Sequence, residues 1–454
     1  MGDIPPPSPT SSATHQQHAH LRATLPVPNP TTSHWQTPEH RLARHRTTPN
    51  LPTEADIVVI GSGITAAFFA LHMLIADPSP AFNNMVVLEA RTMCSGATGR
   101  NGGHLVVDGS ARKERREWEE RVWDMVAEIA VRGGSRIECE WREVRNATGW
   151  WGWDREGWEG VKRRVKRDRE VYGENYRVVE DEDELKGLDL KGSMGAVVSG
   201  WGRAATLCPY ALMETPVVGI ERDEAAGVNV VKTKDRGEIR AKHVVVATNG
   251  YVSQLLERFT GLVVPTQGQM TALKPVEEGR LLKHDYGLEG LKGQSGLIED
   301  YAVQRPWDKV GQGAIMHGGA RQWVKGGGEG VSDDSYNVDE AVEWLRDLPQ
   351  RIDVGTHASQ LELLKAWTGV MGYSRDGAPW VGAMPGMEGV WVSAGYTGHG
   401  MTNAPGCGRH LGILVSAALR GQDWREAERK SIAEGTMLQE FVLSEERIAK
   451  AGLL

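Results

Sequence analysis

The chain has 454 residues, too many for one hydrophobic core, so two domains are expected. Its net charge of −8, with both signs interspersed, excludes the basic face of a nucleic-acid binder. Four widely spaced cysteines (Cys94, Cys139, Cys208 and Cys407) form no CxxC pair. That excludes a disulfide framework or structural zinc and points to a reducing compartment, the cytoplasm.

Residues 1–50 lack apolar periodicity, hold six of the fourteen histidines and read as mostly disordered. His15, His18 and His20 read as part of a solvated tail rather than as metal ligands. The Pro-, Ser-, Thr- and His-rich start does not read as a secretory signal. An apolar strand over 56–60 then enters Gly61-Ser62-Gly63-Ile64-Thr65 and a helix. A second apolar strand ends at Glu89, 28 positions after Gly61. This is the fingerprint of a fold that binds a dinucleotide by its pyrophosphate. Gly61 permits the tight turn, Gly63 lets backbone approach a diphosphate, and Glu89 can accept from ribose hydroxyls. Ala66 stands where a third glycine is commoner. Residues 57–76 carry no formal charge and resemble a membrane span by hydropathy. Gly61, Ser62, Gly63, Thr65 and His72 interrupt the run where a phosphate turn needs them, so no membrane segment is expected.

Apolar positions 118, 122, 125, 126 and 129 form a helical stripe. The basic run 162–170 sits on a second helix with Trp158, Val161 and Val165 on one side, a solvated face rather than a nucleic-acid patch. Strand pairs are expected over 176–205 and 297–323, with short β segments at 217–220, 228–233 and 239–247. A helix is expected over 338–348. Strands follow over 367–373 and 389–394. Gly395-Tyr396-Thr397-Gly398-His399-Gly400-Met401 then opens a helix running to about Arg420. A turn of this kind aims N–H groups and a positive dipole end at an acceptor.

Four blocks recur together in one family. They are Gly61–Thr65 with Glu89-Ala90-Arg91, then Cys94–His104, then Ala247-Thr248-Asn249-Gly250-Tyr251, and last Trp367–Tyr373 through Asp376-Gly377 to Met401. On these the chain resembles the FAD-dependent D-amino-acid-oxidase-like oxidoreductases (glycine oxidase, sarcosine oxidase, gamma-glutamylputrescine oxidase), and within them the fungal-type members. The likeness spans about residues 35–420. It implies an α/β fold with a discontinuous Rossmann-like FAD-binding domain of glutathione-reductase type, over 51–110, 205–260 and 365–420. An antiparallel-sheet substrate domain over 111–204 and 261–364 and a helical tail over 421–454 complete the expected organisation. It also implies that Gly61, Gly63, Ile64 and Thr65 hold the pyrophosphate, and that Glu89, Ala90 and Arg91 lie at the adenosine ribose. Thr98, Gly99, Arg100, Asn101, Gly102 and Gly103 should wrap the pyrophosphate and flavin side. Val217 should meet adenine, with Ala247 and Thr248 near the adenosine half. Gly398, His399, Gly400 and Met401 should face the flavin O2 side.

The implied reaction takes a hydride from the carbon beside a neutral amine to flavin N5, and water then hydrolyses the imine. The substrate is a small amine or amino acid, and oxygen or another acceptor takes the electrons. Arg305 is the candidate anchor for a substrate carboxylate, with Tyr301 on the same strand face; the alternative for Arg305 is a structural ion pair. His104 lines the substrate side or is a buried, hydrogen-bonded histidine. Gly313–Gly319 lacks the oxygen-activating lysine of some relatives, and Trp367–Tyr373 lacks a cysteine for covalent flavin. Non-covalent FAD is therefore expected, with His104 the alternative attachment point. One departure is large. After Met213 the chain runs straight into Glu214-Thr215-Pro216-Val217, where the family has a crossover helix, and a crossover needs about 10–12 residues. Its loss should expose apolar sheet beside the adenine site. Two other functions fit parts of the pattern: an inactive family member, and an NAD-dependent dehydrogenase.

Overall fold

The structure is a computed structural model. It describes residues 19–76, 84–107, 111–132, 139–152, 155–172, 176–204, 214–291, 300–308 and 312–452. Cys208, His15, His18 and the junction through Met213 lie outside the described residues. Fifteen strands are described. They are β1 (Glu54–Ile60), β2 (Met85–Leu88), β3 (Val144–Trp150), β4 (Tyr176–Val179), β5 (Gly195–Ala204), β6 (Val217–Asp223), β7 (Val228–Thr233), β8 (Glu238–Val246), β9 (Val263–Leu273), β10 (His284–Glu289), β11 (Asp300–Gln304), β12 (Ile315–Gly319), β13 (Leu363–Ser374), β14 (Trp380–Ala383) and β15 (Val390–Ala394).

The first sheet has the order β14-β15-β8-β1-β2, with β7 and β6 joined to β8 as an antiparallel meander. The β15, β8, β1 and β2 neighbours are parallel. Residues 57–60 of β1 are at most 4% exposed, because a central parallel strand is covered on both faces. Ile57 and Val59 face one core, which holds Phe69, Trp118 and Leu411; Val58 and Ile60 face another, which holds Phe259 and Trp380. The first core is covered by α1 (Ile64–Ala76), α2 (Lys113–Arg132) and a later helix (Gly400–Leu419). Of the expected stripe on α2, Trp118, Val122 and Val126 are buried, while Ile129 is exposed.

The second sheet has the order β13-β9-β12-β11-β10-β3-β5-β4 and is antiparallel except for the β10–β3 pair. Its back packs on the helix Asp339–Arg346 and the segment through Ile352 and Leu361, and Arg155–Tyr172 covers its β4–β5 end. Its front carries Met270, Val303, Met316, Trp367 and Tyr301 toward the first sheet.

Three expectations about organisation need correction. Residues 19–50 are not a loose tail. Leu21, Ala23, Ser33 and Ala43 are buried. Thr31 N–H donates to the Asp334 carbonyl at 2.7 Å, and Trp35 Nε1–H donates to the Asn101 carbonyl at 2.7 Å. The segment has no apolar period of its own, and its pairing partners lie far along the chain. The helix Lys113–Arg132 packs with the first sheet, not the substrate domain. Strand β13 belongs to the second sheet as far as Ser374, so the last cofactor-domain segment begins after it. The C-terminal residues dock as well: Met437 and Phe441 enter the first core, and Leu443 N–H donates to the Val381 carbonyl.

Among the described residues β2 is a sheet edge, pairing only with β1. Leu74 and Ile75 in the last turn of α1 are 63% and 69% exposed. No helix among the described residues is long and apolar enough to cross a membrane.

Burial holds two core histidines neutral: His410 is pulled down to about 4 and His317 to about 3. The unfolded chain binds protons at these sites from the ordinary histidine value downward, and the native state does not. Stability is therefore full above pH ~6.5 and falls as pH drops toward ~4, by on the order of 2–3 kcal/mol per histidine. Melting temperature should decline across that window, and His410→Gln should make the decline shallower. A melting temperature flat from neutrality to pH ~4.5 would contradict neutral burial.

Candidate active site and cofactor cradle

The turn after β1 is built for close backbone approach. Gly61 sits at φ +103°, and a Cβ there would lie 2.6 Å from the Ala247 carbonyl oxygen. This is the contact that brings Ala247 and Thr248, at the end of β8, beside the turn. Glu89 braces the turn: the Ser62 N–H and hydroxyl donate to its Oε2 at 3.0 and 2.6 Å, and the Arg91 N–H donates to its Oε1 at 3.1 Å. Thr98 Oγ1 accepts from the Ile64 N–H at 3.0 Å. The next two N–H groups of α1, on Thr65 and Ala66, precede the first helical bond (Ala67 N–H to the Gly63 carbonyl) and have no acceptor among the described residues.

A second helix end converges on the same region. The helix Gly400–Leu419 follows a Gly398 at φ +84° and a Thr397 at φ +51°. His399 is its N-cap residue but makes no side-chain cap, and its Nδ1 bonds back to the Thr397 carbonyl at 3.2 Å. The first helical acceptor is the His399 carbonyl, reached by the Asn403 N–H. The N–H groups of Gly400, Met401 and Thr402 therefore open outward, with the dipole's positive end behind them. Two further observations fit a bound dinucleotide. The Thr248 hydroxyl is buried without a partner, and so is Asn403 Oδ1.

The glycine loop joins this helix end to the second sheet. Asn101 Nδ2 lies 3.2 Å from Met401 Sδ, and the Thr402 hydroxyl donates to the Val106 carbonyl at 2.7 Å. Gly103 N–H donates to Asn101 Oδ1 at 2.6 Å. A Cβ on Gly102 would strike Tyr301 at 2.5 Å, and one on Gly99 would strike the Cys94 carbonyl at 2.3 Å. His104 then meets the sheet front. Its ring is edge-on to Tyr301 at 4.9 Å, and its Nδ1 lies 2.7 Å from Asp285 Oδ1.

Three candidate residues stand elsewhere than the sequence suggested. Arg91 is turned away from the ribose position into a buried pair with Asp334, at 2.8 and 3.1 Å. Arg100 is also structural, donating to the carbonyls of Ser95 (2.6 Å) and Thr368 (2.8 Å). Burial pulls Arg100 down to about 10, against the opposing pull of Asp334. Arg305 is engaged through Nε (2.7 Å to Oε2) and Nη2 by Glu140, and its guanidinium stacks over Trp35 at 4.8 Å. The ion-pair alternative for Arg305 is therefore the one the geometry carries. Ala90 lies half-buried in the turn after β2. Val217 is buried at the start of β6, next to Thr215, whose N–H reaches the Glu89 carbonyl.

Sequence reasoning missed Asp285 and Arg142. Asp285 is 1% exposed and holds His104 while its Oδ2 has no partner. Arg142, just before β3, keeps Nε and Nη2 without partners; burial lowers its pKa and Asp285 opposes that. Asp285 lies in His284-Asp285-Tyr286-Gly287-Leu288-Glu289, whose polar residues gave no sign of a buried strand. Nothing in sequence distinguished Arg142 from its charged neighbours.

Gly61→Ala forces a Cβ into the Ala247 carbonyl from a left-handed backbone. Strain of about 1–3 kcal/mol and displacement of the turn should follow. The purified variant should retain at least about tenfold less dinucleotide than the parent, measured after gel filtration; undiminished retention would contradict the cradle.

The comparisons with known proteins agree with this geometry. The family model described as FAD dependent oxidoreductase matches residues 56–412. The chain is 23% identical over 387 residues to a probable oxidoreductase, OrdL, of Rhizobium meliloti, covering 78% of this chain and 82% of that protein. It is 24% identical over 417 residues to the gamma-glutamylputrescine oxidoreductase of Escherichia coli, covering 84% and 86%. Among solved structures it resembles the glycine oxidase of Geobacillus kaustophilus (TM-score 0.62, 18% identity, 82% of this chain and 96% of that one). It also resembles the L-proline dehydrogenase of P. horikoshii (TM-score 0.61, 19% identity, 84% and 99%). The NAD-dependent alternative is set aside by the family match, which runs through all four sequence blocks. With that match across most of its length, the chain belongs to the FAD dependent oxidoreductase family.

Proposed function

We propose that this chain oxidises the carbon–nitrogen bond of a small amine or amino acid. The observation that carries the reading is the seam between the two sheets. There the open N-terminus at Gly400 is tied by Asn101 and Thr402 to the loop that sets His104 against Tyr301. The names of relatives support it, since one is a glycine oxidase, named for an amino acid, and another a gamma-glutamylputrescine oxidoreductase, named for an amine derivative.

FAD, when bound, supplies the hydride acceptor. Glu89, the N–H groups of Thr65 and Ala66, and Thr248 would hold its adenosine and pyrophosphate part. The N–H groups of Gly400, Met401 and Thr402 would stabilise negative charge at its ring end. Tyr301, Met270 and Val303 form an apolar wall that excludes water from the reacting carbon. Arg142 is the group fitted to a substrate carboxylate, because its guanidinium edge is unpartnered. Glu140 neutralises Arg305, which fixes the loop after β11 and Trp35 rather than the substrate.

A second reading, a folded chain without turnover, is favoured by one observation. The adenosine side borders β2, a sheet edge among the described residues. Peroxide and dye-reduction assays on the FAD-loaded chain, over glycine, sarcosine, L- and D-proline and putrescine, discriminate the two. Turnover on at least one supports oxidation; a flavin-loaded chain inert to all supports the second reading. Peroxide formation would identify oxygen as the acceptor.

Arg142→Met should raise KM for a carboxylate-bearing substrate about 10–100-fold, the loss of one charge-assisted contact of roughly 1.5–3 kcal/mol. Its kcat and its KM for a plain amine should change little. Equal effects on both substrate classes would remove Arg142 from the carboxylate role.

A further inference from the structure

His104 and Asp285 form a buried pair at the seam. His104 Nδ1 lies 2.7 Å from Asp285 Oδ1, with the two side chains 16% and 1% exposed. A carboxylate only accepts, so Nδ1 carries the hydrogen, which in the neutral ring places the lone pair on Nε2. Nε2 is buried without a partner, as is Asp285 Oδ2. The ring is clamped between Tyr301, edge-on at 4.9 Å, and Gly102, whose absent Cβ would lie 2.9 Å from His104 Cδ2. Tyr301 is itself fixed by its hydroxyl, 3.1 Å from Met270 Sδ. This histidine is oriented through one nitrogen and leaves the other bare at the seam between the sheets. His317, on the back of the same sheet, is likewise held through Nδ1 by the Leu345 carbonyl at 2.7 Å with Nε2 bare, but it lies in the core and not at the seam.

We propose that His104 is the base that deprotonates the substrate ammonium, with Asp285 as its positioning residue. The inference rests on the amine-oxidising function proposed above. An amine binds at neutral pH mostly as an ammonium, which has no lone pair with which to expel a hydride. The ammonium N–H bond breaks and its proton bonds to His104 Nε2. The freed nitrogen pair forms the C=N bond as the C–H pair leaves for the oxidant that the family's activity supplies. Asp285 stabilises the imidazolium across the Nδ1–H bond. The proton passes to water when the product leaves. The charged and titratable groups around the imidazole are Asp285 from β10, Tyr301 from β11, His317 from β12 and, acting through Asp285, Arg142.

The test uses the FAD-loaded full chain and the best substrate of the panel above. Profiles of kcat/KM against pH are compared for the parent, His104→Gln and Asp285→Asn, with bound flavin measured in each. Proximal general-base catalysis contributes about 10²–10⁴-fold. His104→Gln should lose about 100-fold at pH 7, with its acid limb moved up toward the ionisation of the free substrate amine. Asp285→Asn should lose about tenfold, and flavin content should be unchanged in both. A second readout needs no turnover. In ¹⁵N-histidine spectra the His104 resonance, identified by its loss in His104→Gln, should show the Nδ1–H tautomer in the parent and shift toward Nε2–H in Asp285→Asn. An unchanged pH profile in His104→Gln, or an Nε2–H tautomer in the parent, overturns the proposal while leaving amine oxidation standing. A flavin-loaded parent inert to every amine overturns both.

Discussion

The contact on which the rest depends is the one between the two helices that begin at Ile64 and Gly400. They approach so closely that a Cβ on Gly408 would lie 2.3 Å from the Thr65 carbonyl oxygen, and one on Gly412 would lie 2.6 Å from the His72 ring. A chain of hydroxyls locks their starts together. Tyr396 Oη lies 2.7 Å from both Thr65 Oγ1 and Ser393 Oγ. Burial raises the phenol's pKa, so the chain stays neutral. The consequence is two helix N-termini, from opposite ends of the sequence, held in fixed relation. A single long ligand with anionic groups at two places can then meet both dipole ends. Thr65 thus acts in two ways, with its side chain binding helix to strand and its N–H left for a ligand.

The second sheet is held to this frame by contacts that carry charge. Asp334 meets Arg91 at 2.8 Å and Arg100 at 3.4 Å, with all three side chains at most 7% exposed. Around them, Thr31 and Thr368 complete the hydrogen bonds. The segment 19–50 belongs to this cluster, which is why it is ordered without any apolar period of its own. The same seam presents His104 to the front of the second sheet. Orientation of a reacting group comes here from residues on several elements, each fixed by packing rather than by its own loop.

Much of the first sheet was legible because its physics is local. The run from Asp56 to Thr65 needs only strand propensity, a turn and a helix, and these occur together. The third and fourth blocks were legible as glycine clusters, and the structure gives their reason. A Cβ on Gly250 would lie 2.5 Å from the Met371 carbonyl oxygen, and one on Gly372 would lie 2.5 Å from Asn249 Oδ1. Strand β9 was not legible. Pro265, Gly268 and the buried Thr266, Gln267, Gln269 and Thr271 disguise an interior strand as a loop. Those polar side chains are tolerated because each finds a partner, in most cases far along the chain, as Gln269 does at the Trp367 carbonyl (2.9 Å) and Thr271 at the His317 carbonyl (3.0 Å). The substrate side was the least legible part. Arg305 carries the right chemistry on the right strand, yet Glu140, 165 positions away, takes its guanidinium. Asp285 and Arg142 matter only through what the fold places beside them.

The central claim is that both helix ends hold one FAD even though β2 lies at a sheet edge. The most direct measurement is the flavin content of the purified full chain after dialysis against FAD and gel filtration, read from the visible flavin spectrum before and after denaturation. The account expects one FAD per chain, released intact on unfolding. A folded, cooperatively melting chain that retains no flavin would contradict it.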